Sequence, residues 1–331
     1  MKHLSNRKAG RFLRTVYLFI LFFSMTLSCE KTDFNRVLRI KTGEVFNITP
    51  NTATVTGFIQ DVGESGILKH GHCWSVEENP TANSMPTTNL GSRDISGSFS
   101  SELTGLLPGT YYFVRSYATS HTDTAYGDTC RLLTPAVDYD GNLYPVVQIG
   151  QQMWMAENLK TTRYNDGSVI PFAPDKATWE VLATGQCYCW YNDSKETYKN
   201  PYGALYNWHT INSGKLCPSG WHVPDNDDWT TLVNFLGGEA AAGGKLKETG
   251  TAHWNSPNTG ATNESGFTAL PGGFRFGHGL FDGFGWHCIF WSSTEYNSDY
   301  AWGYAVTFDN NSVGKGGNNK MEGFSIRCIR D

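Results

Sequence analysis

Long apolar runs are scarce in this sequence, and after residue 28 none approaches the roughly 20 residues that a membrane-spanning helix needs. Basic residues are outnumbered, with 26 Lys and Arg against 31 Asp and Glu, so the chain lacks the positive field typical of nucleic-acid binding. Helical periodicity is equally rare and is strong only over residues 229–236. These absences argue against an integral membrane protein, a nucleic-acid binder and a helical bundle.

The first 28 residues have the composition of an export signal. Five basic residues precede VYLFILFFSM (16–25), an apolar stretch too short to span a bilayer and typical of a signal-peptide core. The sequence MTLSCE then resembles a bacterial lipobox, whose cysteine is lipidated, and the acidic residues after it are similar to the surface-export signals of Bacteroidetes lipoproteins. An ordinary signal peptide followed by an unrelated cysteine is the alternative. We therefore predict a signal peptide at 1–28, a lipid anchor to the membrane at Cys29, a tether at 29–35, and an outer-membrane, surface-exposed location in the cell envelope.

Cleavage of this signal would change both the charge and the cysteine chemistry of the chain. It would remove five basic residues and no acidic one, leaving 21 basic residues against 31 acidic ones, a net charge of −10. Nucleic acid is therefore not expected as a partner. Export permits disulfides, and seven cysteines remain after Cys29, so at least one thiol has no partner within the chain.

Residues 36–134 alternate apolar and polar side chains at period two in five short runs (51–59, 70–76, 97–103, 110–120 and 128–134), which predicts an all-β sandwich. Within it, the L-x-P-G-T-x-Y spacing from Leu106 to Tyr112 resembles the tyrosine corner of fibronectin type III domains. The resemblance implies a fibronectin type III-like module over 36–134, usually a spacer or a protein-binding domain. The alternation places Tyr112, Val114, Ser116 and Ala118 inward, and Phe113, Arg115 and Tyr117 outward.

Two cysteines and two histidines in this segment allow more than one interpretation. Cys73 and Cys130 are expected to be buried thiols or a disulfide, and the first is favoured because their strands are not neighbours in such a sandwich. His70, His72 and Cys73 could together ligate a metal, but a solvent-exposed strand edge explains them more simply.

The second half of the chain is expected to have a different, tryptophan-rich core, because ten of the eleven tryptophans follow residue 150. Pro135 breaks the preceding strand, YDGN predicts a tight turn, and LYPVVQI with QQMWMAENL predicts a hairpin. One helix is expected, with Asp225 as its N-cap, Gly237 and Gly238 after its end, and Trp229, Leu232, Val233 and Leu236 on its apolar face. The remainder is short strands and Gly/Asn/Ser loops, as in a binding surface or a disulfide-pinned scaffold.

Six ordered motifs in this half resemble the Fibrobacter succinogenes major paralogous domain: DYDGNLYPVVQIGQQMWMAENLKTTRYNDG, YGALYNWHTIN, LCPSGWHVPDNDDWTTLVNFLGG, GGKLKETGTAHWNSPNTGATNESGFTALPGGFR, WSSTEY and GFSIRCIRD. The resemblance covers 138–331 and implies an α+β, C-type-lectin-like fold with few helices, similar to formylglycine-generating enzymes. Such folds commonly tie the first helix region to the last strand by a disulfide, which implies a bond between Cys217 and Cys328. The family implies no catalytic residues.

Several residues could nevertheless carry chemistry. Cys217 and His222 could form a nucleophilic pair, although the implied disulfide would remove the thiol. Cys187 and Cys189 could hold a soft metal, like the thiolate pair of formylglycine-generating enzymes, but ordinary thiols or a disulfide are expected instead. The loops at 295–300 and 307–313 could bind calcium, yet turn-forming Asn and Asp also explain them. We predict no metal and no cofactor, with calcium as a lesser possibility.

Aromatic side chains near glycine-rich loops are the better candidates for a site, because their faces can stack on sugar rings. The alternative is that they form the core of a fold poor in helix. The candidate ligand-binding aromatics are Trp254, Trp286, Trp291, Tyr296, Tyr300 and Trp302.

The sequence therefore predicts a non-enzymatic cell-envelope lipoprotein. Its C-terminal head is expected to bind an extracellular polysaccharide or protein, in adhesion or recognition. The alternatives are an enzyme of the formylglycine-generating type, in which thiolates and a metal catalyse an oxidation, and a purely structural surface or fimbria-associated subunit.

Overall fold

The computed structural model describes residues 36–83 and 86–331, and Arg36–Asp331 form one compact unit. The predicted signal peptide, the lipid anchor Cys29 and the tether lie outside the described residues. No helix in the described part is both long and apolar enough to cross a membrane. The described chain consists of an N-terminal β-sandwich and a head of short strands with five α-helices.

Seven strands form two sheets of the sandwich. One sheet has the order β1-β2-β4; in the other, β5 pairs with β3 on one side and with β6 and β7 on the other. The five predicted strands correspond to β2, β3, β4, β5 and β7; β1 was missed because register shifts interrupt its alternation. The strands are β1 (Arg39–Phe46), β2 (Ala53–Asp61), β3 (Lys69–Ser75), β4 (Gly97–Leu103), β5 (Tyr111–Thr119), β6 (Thr124–Tyr126) and β7 (Cys130–Leu133).

The tyrosine corner of the fibronectin-like sandwich is present. The Tyr112 hydroxyl accepts a hydrogen bond from the Leu107 backbone N–H at 3.0 Å, which fixes the loop before β5. The predicted inward side chains of β5 are buried. Tyr117 is also buried, contrary to the prediction. The segment around Thr88, which lies beside β3, covers it, and the Tyr117 hydroxyl donates to the Thr88 carbonyl at 2.7 Å.

The expectation of a solvent-exposed strand edge at His70, His72 and Cys73 is wrong, because residues 88–90 lie beside this edge of β3. All three side chains are buried, because the backbone of Thr88 and Leu90 donates hydrogen bonds to β3 and covers its free edge. The Phe99 ring packs against both imidazoles, at centroid distances of 4.9 and 5.1 Å. Burial lowers the pKa of His72 to about 4, so this residue is a neutral core side chain at physiological pH.

Fourteen further strands and five α-helices form the head within the described residues. The helices are α1 (Lys176–Leu182), α2 (Lys195–Tyr202), α3 (Trp208–Ile211), α4 (Asn226–Phe235) and α5 (Glu239–Leu246), with a 3₁₀ turn at Tyr191–Asp193. The strands are β8 (Ala136–Val137), β9 (Leu143–Tyr144), β10 (Val146–Ile149), β11 (Gln152–Met155), β12 (Tyr188–Cys189), β13 (Leu205–Asn207), β14 (Trp221–His222), β15 (Gly272–Arg275), β16 (Phe281–Phe284), β17 (His287–Glu295), β18 (Tyr300–Thr307), β19 (Val313–Asn319), β20 (Gly323–Phe324) and β21 (Ile329–Arg330).

Two main sheets organise the head. The first has the order β10-β11-β21-β14, so that the start and the end of the head pair with each other. The second runs β12-β13-β20-β15-β17-β18-β19, with β16 also paired to β15. The predicted hairpin is β10–β11, and tryptophan-rich clusters fill the space around both sheets.

Helix α4 begins and ends as predicted, and Asp225 accepts hydrogen bonds from the N–H groups of Asp227 and Asp228. The expectation of a single helix is wrong. Helix α5 was missed because its sequence, EAAAGGKL, contains two glycines of low helix propensity. They are needed because a Cβ at Gly243 would lie 2.2 Å from the Ser312 carbonyl oxygen.

Candidate functional site

The LCPSGWHVPDNDDW segment (216–229) is a structural corner. A disulfide joins Cys217 to Cys328, as the family resemblance implied, and links this corner to the segment before β21 across 111 residues. The bond removes the Cys217 thiol that a Cys-His nucleophile would require.

His222, which the sequence suggested as a partner of Cys217, lies instead between two carboxylates. Its Nδ1 is 2.6 Å from Asp331 Oδ1, and its Nε2 is 3.0 Å from Asp228 Oδ2. Asp228 Oδ2 also accepts the Asp225 N–H and completes the capping box of α4. Partial burial lowers the pKa of His222, but the two hydrogen-bonded carboxylates outweigh it, so the pKa is raised overall. The imidazole therefore ties β14 to α4 and to the end of β21.

The other cysteines of the described chain are free thiols, so Cys73 and Cys130 form no disulfide. The thiols of Cys187 and Cys189 are fully buried, and burial raises the pKa of each to about 12. A thiol that resists ionisation at this level is a poor nucleophile. Among the described residues, no group of three or more His, Cys, Asp and Glu side chains could hold a metal ion.

The two loops considered for calcium make local turns. Asn297 Oδ1 accepts the N–H groups of Asp299 and Tyr300, while Asp309 Oδ1 accepts the Thr307 hydroxyl at 2.7 Å. Glu295 forms an ion pair with Lys320 at 2.8 Å. The polar side chains of these loops thus stabilise the loop conformations through local hydrogen bonds and an ion pair.

Two of the six candidate aromatics cannot form a binding surface, and for these the prediction is wrong. Trp254 and Trp291 are only 1% and 0% exposed. Each indole N–H donates to a backbone carbonyl, that of Ala269 for Trp254 and that of Tyr206 for Trp291, at 3.0 and 2.8 Å. Both side chains belong to the core of the head, because the large indole rings fill space that few helices occupy.

Trp286 is exposed but lies apart from the exposed Tyr296 and Tyr300 and from the half-buried Trp302. It precedes β17, whereas Tyr296 follows it, and a strand of this length separates them by roughly 30 Å. Trp286 is 51% exposed and packs against Phe308 at a centroid distance of 5.1 Å. Substitution of Trp286 therefore serves as a comparison for substitution of Trp302.

The remaining three candidates meet at the other end of the same sheet. Tyr300 and Trp302 are two residues apart on β18 and share one face, and Tyr296 crosses towards them from the β17–β18 turn. The Tyr296 and Trp302 rings are edge to face, at a centroid distance of 4.7 Å and an angle of 85°. Lys315 Nζ lies 4.6 Å from the Trp302 ring centroid. We call Tyr296, Tyr300, Trp302 and Lys315 the aromatic face.

Glycine in β19 makes room for this arrangement. Gly317 pairs with Trp302, and a Cβ at Gly317 would come within 3.0 Å of the Tyr296 ring. Sequence reasoning missed Lys315, although its position in the glycine run GKGGNN was a usable signal. A lysine beside a half-buried tryptophan supplies both a charge and hydrogen-bond donors to a ligand on the ring.

A shallow cleft of about 290 Å³ adjoins the aromatic face at Tyr300. Its walls include His209, Ser298, Asp299 and Lys320, polar groups that a sugar could contact. Lys320 is held by Glu295 and by the Ser298 carbonyl, and its Nζ lies 4.5 Å from the Trp208 ring centroid. The cleft therefore has a rigid floor.

None of the curated proteins compared with the chain matches it. Solved structures similar to part of it include the sensor domain of the anti-sigma factor RsgI4 of Pseudobacteroides cellulosolvens, 16% identical, over 30% of this chain and 96% of that one, with a TM-score of 0.24. They also include a fibronectin type III domain derived from the human KIAA0970 protein, 12% identical, over 33% of this chain and 82% of that one, with a TM-score of 0.22. Residues 147–330, more than half of the sequence, match the Fibrobacter succinogenes major domain. The chain belongs to the Fibrobacter succinogenes major domain family.

Proposed function

We propose that this protein is a cell-envelope lipoprotein of the outer membrane, anchored at Cys29, whose C-type-lectin-like head binds an extracellular polysaccharide at the aromatic face. The fibronectin-like sandwich acts as a stalk between membrane and head. The lipobox resemblance supports the anchor. The pairing of β11 with β21, which brings the two ends of the head together, and the disulfide that links Cys217 to the segment before β21 support a lectin-like head.

The observation that carries the proposed binding role is the geometry of Tyr296 and Trp302. Edge-to-face packing and the ammonium of Lys315 hold the indole in one orientation, so little side-chain entropy is lost when a ligand binds. Tyr296 and Tyr300 remain 55% and 41% exposed, which is unusual for side chains of this size without a partner. Sugar rings present apolar C–H faces to aromatic rings, and their hydroxyls would reach the polar cleft beside Tyr300.

A non-enzymatic role fits the chemistry of the described residues. The one Cys-His pair suggested by the corner has lost its thiol to the disulfide, and the thiols of Cys187 and Cys189 are buried and protonated. Equilibrium recognition at the aromatic face requires neither a nucleophile nor a metal.

A glycan array probed with the purified protein tests this function. We expect binding to one class of polysaccharide, weakened about tenfold or more by Trp302→Ala, since loss of a stacked ring costs on the order of 1–2 kcal/mol. Trp286→Ala is the control, because it removes a tryptophan that is more exposed than the half-buried Trp302 and lies far from the aromatic face.

A blank array would argue against a polysaccharide and favour a protein ligand on the same face. Equal loss in the Trp302→Ala and Trp286→Ala variants would show that binding does not depend on the aromatic face. The first result would overturn the proposed polysaccharide ligand, and the second would overturn the proposed site.

The anchor has its own test. Cys29→Ser should abolish incorporation of labelled fatty acid and move the protein out of the membrane fraction. Cys130→Ser, which alters a free and partly exposed thiol of the sandwich, should change neither. Retention of the label in Cys29→Ser would contradict the proposed anchor.

A further inference from the structure

A cleft of about 420 Å³ lies where the sandwich meets the head. Its volume falls within the roughly 300–1,000 Å³ of small-ligand sites, which occur preferentially at domain junctions. Three separate parts of the chain form its walls. They are Leu107 and Pro108 of the sandwich, Val137 and Tyr139 of the connecting segment, and Pro218–Trp221 with Arg330 of the head.

The walls of this junction cleft are held together by contacts at Gly109. The Trp221 ring lies so close that a Cβ at Gly109 would be 2.5 Å from its Cζ2 atom. The Gly109 N–H donates to the Pro135 carbonyl at 2.9 Å, and its carbonyl accepts from Arg330 Nη1. Since backbone and side chains interlock here, the cleft is preformed.

Arg330 gives the junction cleft its charge. Among the described residues, its guanidinium donates only to the neutral Gly109 carbonyl and has no carboxylate partner, although acidic residues outnumber basic ones in the chain. Asp138 also lines the cleft, but its oxygens already accept hydrogen bonds from Asn142 and Tyr144. A guanidinium has five N–H donors and matches a carboxylate in geometry, so Arg330 can bind an anion.

The rest of the lining is mostly apolar. Leu107 is 61% and Tyr139 59% exposed at the cleft, and Pro108, Pro218 and Trp221 add further apolar surface. The polar side chains of Thr110, Asn165 and Ser219 also line the cleft, but an aliphatic or aromatic body would still be desolvated against the apolar walls.

We propose that the junction cleft is a second binding site, for an apolar carboxylate whose acid group pairs with Arg330 and whose body packs between Pro108, Tyr139 and Trp221. The carboxylate comes either from a small organic acid or from the C-terminus of a peptide that ends in apolar residues. This site is independent of the aromatic face and of its proposed polysaccharide.

Isothermal titration calorimetry with 3-phenylpropionate and a peptide ending in Leu-Phe, each compared with its amide, tests the proposal. We expect at least one acid to bind, and its amide to bind about tenfold more weakly or not at all, because the amide cannot pair with Arg330. Tighter binding of the peptide assigns the site to a protein C-terminus, and tighter binding of phenylpropionate assigns it to a small acid. Failure of both acids, or equal binding of acid and amide, would overturn the proposal.

Ser219→Glu then locates the binding. Ser219 is exposed on the cleft wall, and a glutamate there would compete for Arg330, so the acid should bind about tenfold more weakly with no change in the thermal midpoint. Ser100→Glu, at an exposed position of β4, adds the same charge outside the cleft and should leave the affinity unchanged. Equal affinity in the two variants would place the acid elsewhere and refute the site. Trp302→Ala should not alter acid binding, which separates this test from that of the aromatic face.

Discussion

Buried cations tie the loops of the head together. Lys247 Nζ donates to three backbone carbonyls, those of Thr259, Thr307 and Asn310, at 2.8–2.9 Å. Arg327, equally buried, donates to three carbonyls and to the Asn158 side chain. Loops leave carbonyls without strand partners, and one cationic donor can satisfy several of them at once. These hydrogen bonds could not be predicted from the sequence, because a lysine in a loop-rich segment is usually solvated.

Removal of the Lys247 cation should therefore be costly. Lys247→Met should lower the free energy of unfolding by about 3 kcal/mol, because it leaves three buried carbonyls without a donor. Lys245→Met, two residues earlier in α5, breaks only the partly exposed ion pair with Glu264 and should cost less than about 1 kcal/mol. Urea denaturation of both variants measures the difference. Similar costs for the two substitutions would contradict a structural role for the Lys247 ammonium.

His222 should make the stability of the head depend on pH. Its folded-state pKa is raised above the ordinary 6.5, so its ion pairs contribute fully below about pH 6.5 and are lost as pH rises through the folded value. We expect His222→Gln to be more destabilising at pH 6 than at pH 8.5 in urea denaturation. His121→Gln, at an exposed position of the sandwich, should show no such dependence. An equal cost of His222→Gln at both pH values would show that the charge of His222 contributes nothing.

At the scale of elements, sequence patterns predicted the strands and the helix whose formation depends on interactions between residues close in the chain. Alternation located five sandwich strands, and the Asp225 cap with an apolar stripe located α4. The pattern failed where tertiary contacts override propensity, as in α5, whose glycines are required by the close approach of Ser312 and Gly260. The aromatic face was only partly predictable for a similar reason. Trp254 and Trp302 both lie near glycine-rich loops, and only the three-dimensional packing buries the first and leaves the second accessible.

The cap of α4 can be tested directly. Asp225→Ala should lower the free energy of unfolding by about 1 kcal/mol, because two N–H groups of the first turn lose their acceptor. Asp227→Ala removes a neighbouring carboxylate that interacts only with the helix dipole and should cost about 0.3 kcal/mol. Denaturation at neutral pH compares them. A cost for Asp227→Ala as large as that for Asp225→Ala would assign the effect to charge, not to capping.

At the scale of the whole molecule, one short corner joins the two halves. Cys217 closes the head through its disulfide, and four residues later Trp221 packs on Gly109 of the sandwich. The tyrosine corner holds the loop that contains Gly109. A motif that stabilises the sandwich therefore also positions the contact between Gly109 and Trp221 of the head. Stalk and head should consequently move as one body.

This rigid junction predicts a specific effect of Gly109→Ala. Gly109 has a φ of +58°, and an added Cβ would meet the Trp221 ring at 2.5 Å, so alanine should separate the sandwich from the head. Gly105→Ala in the same loop is the matched control, because its φ of +70° imposes similar strain of about 1 kcal/mol but its Cβ would meet nothing within 4 Å. Small-angle X-ray scattering should show a larger radius of gyration for Gly109→Ala alone, and proteolysis at residues 134–138 should become faster. If both variants stay as compact as the parent, the Trp221 contact does not hold the two halves together.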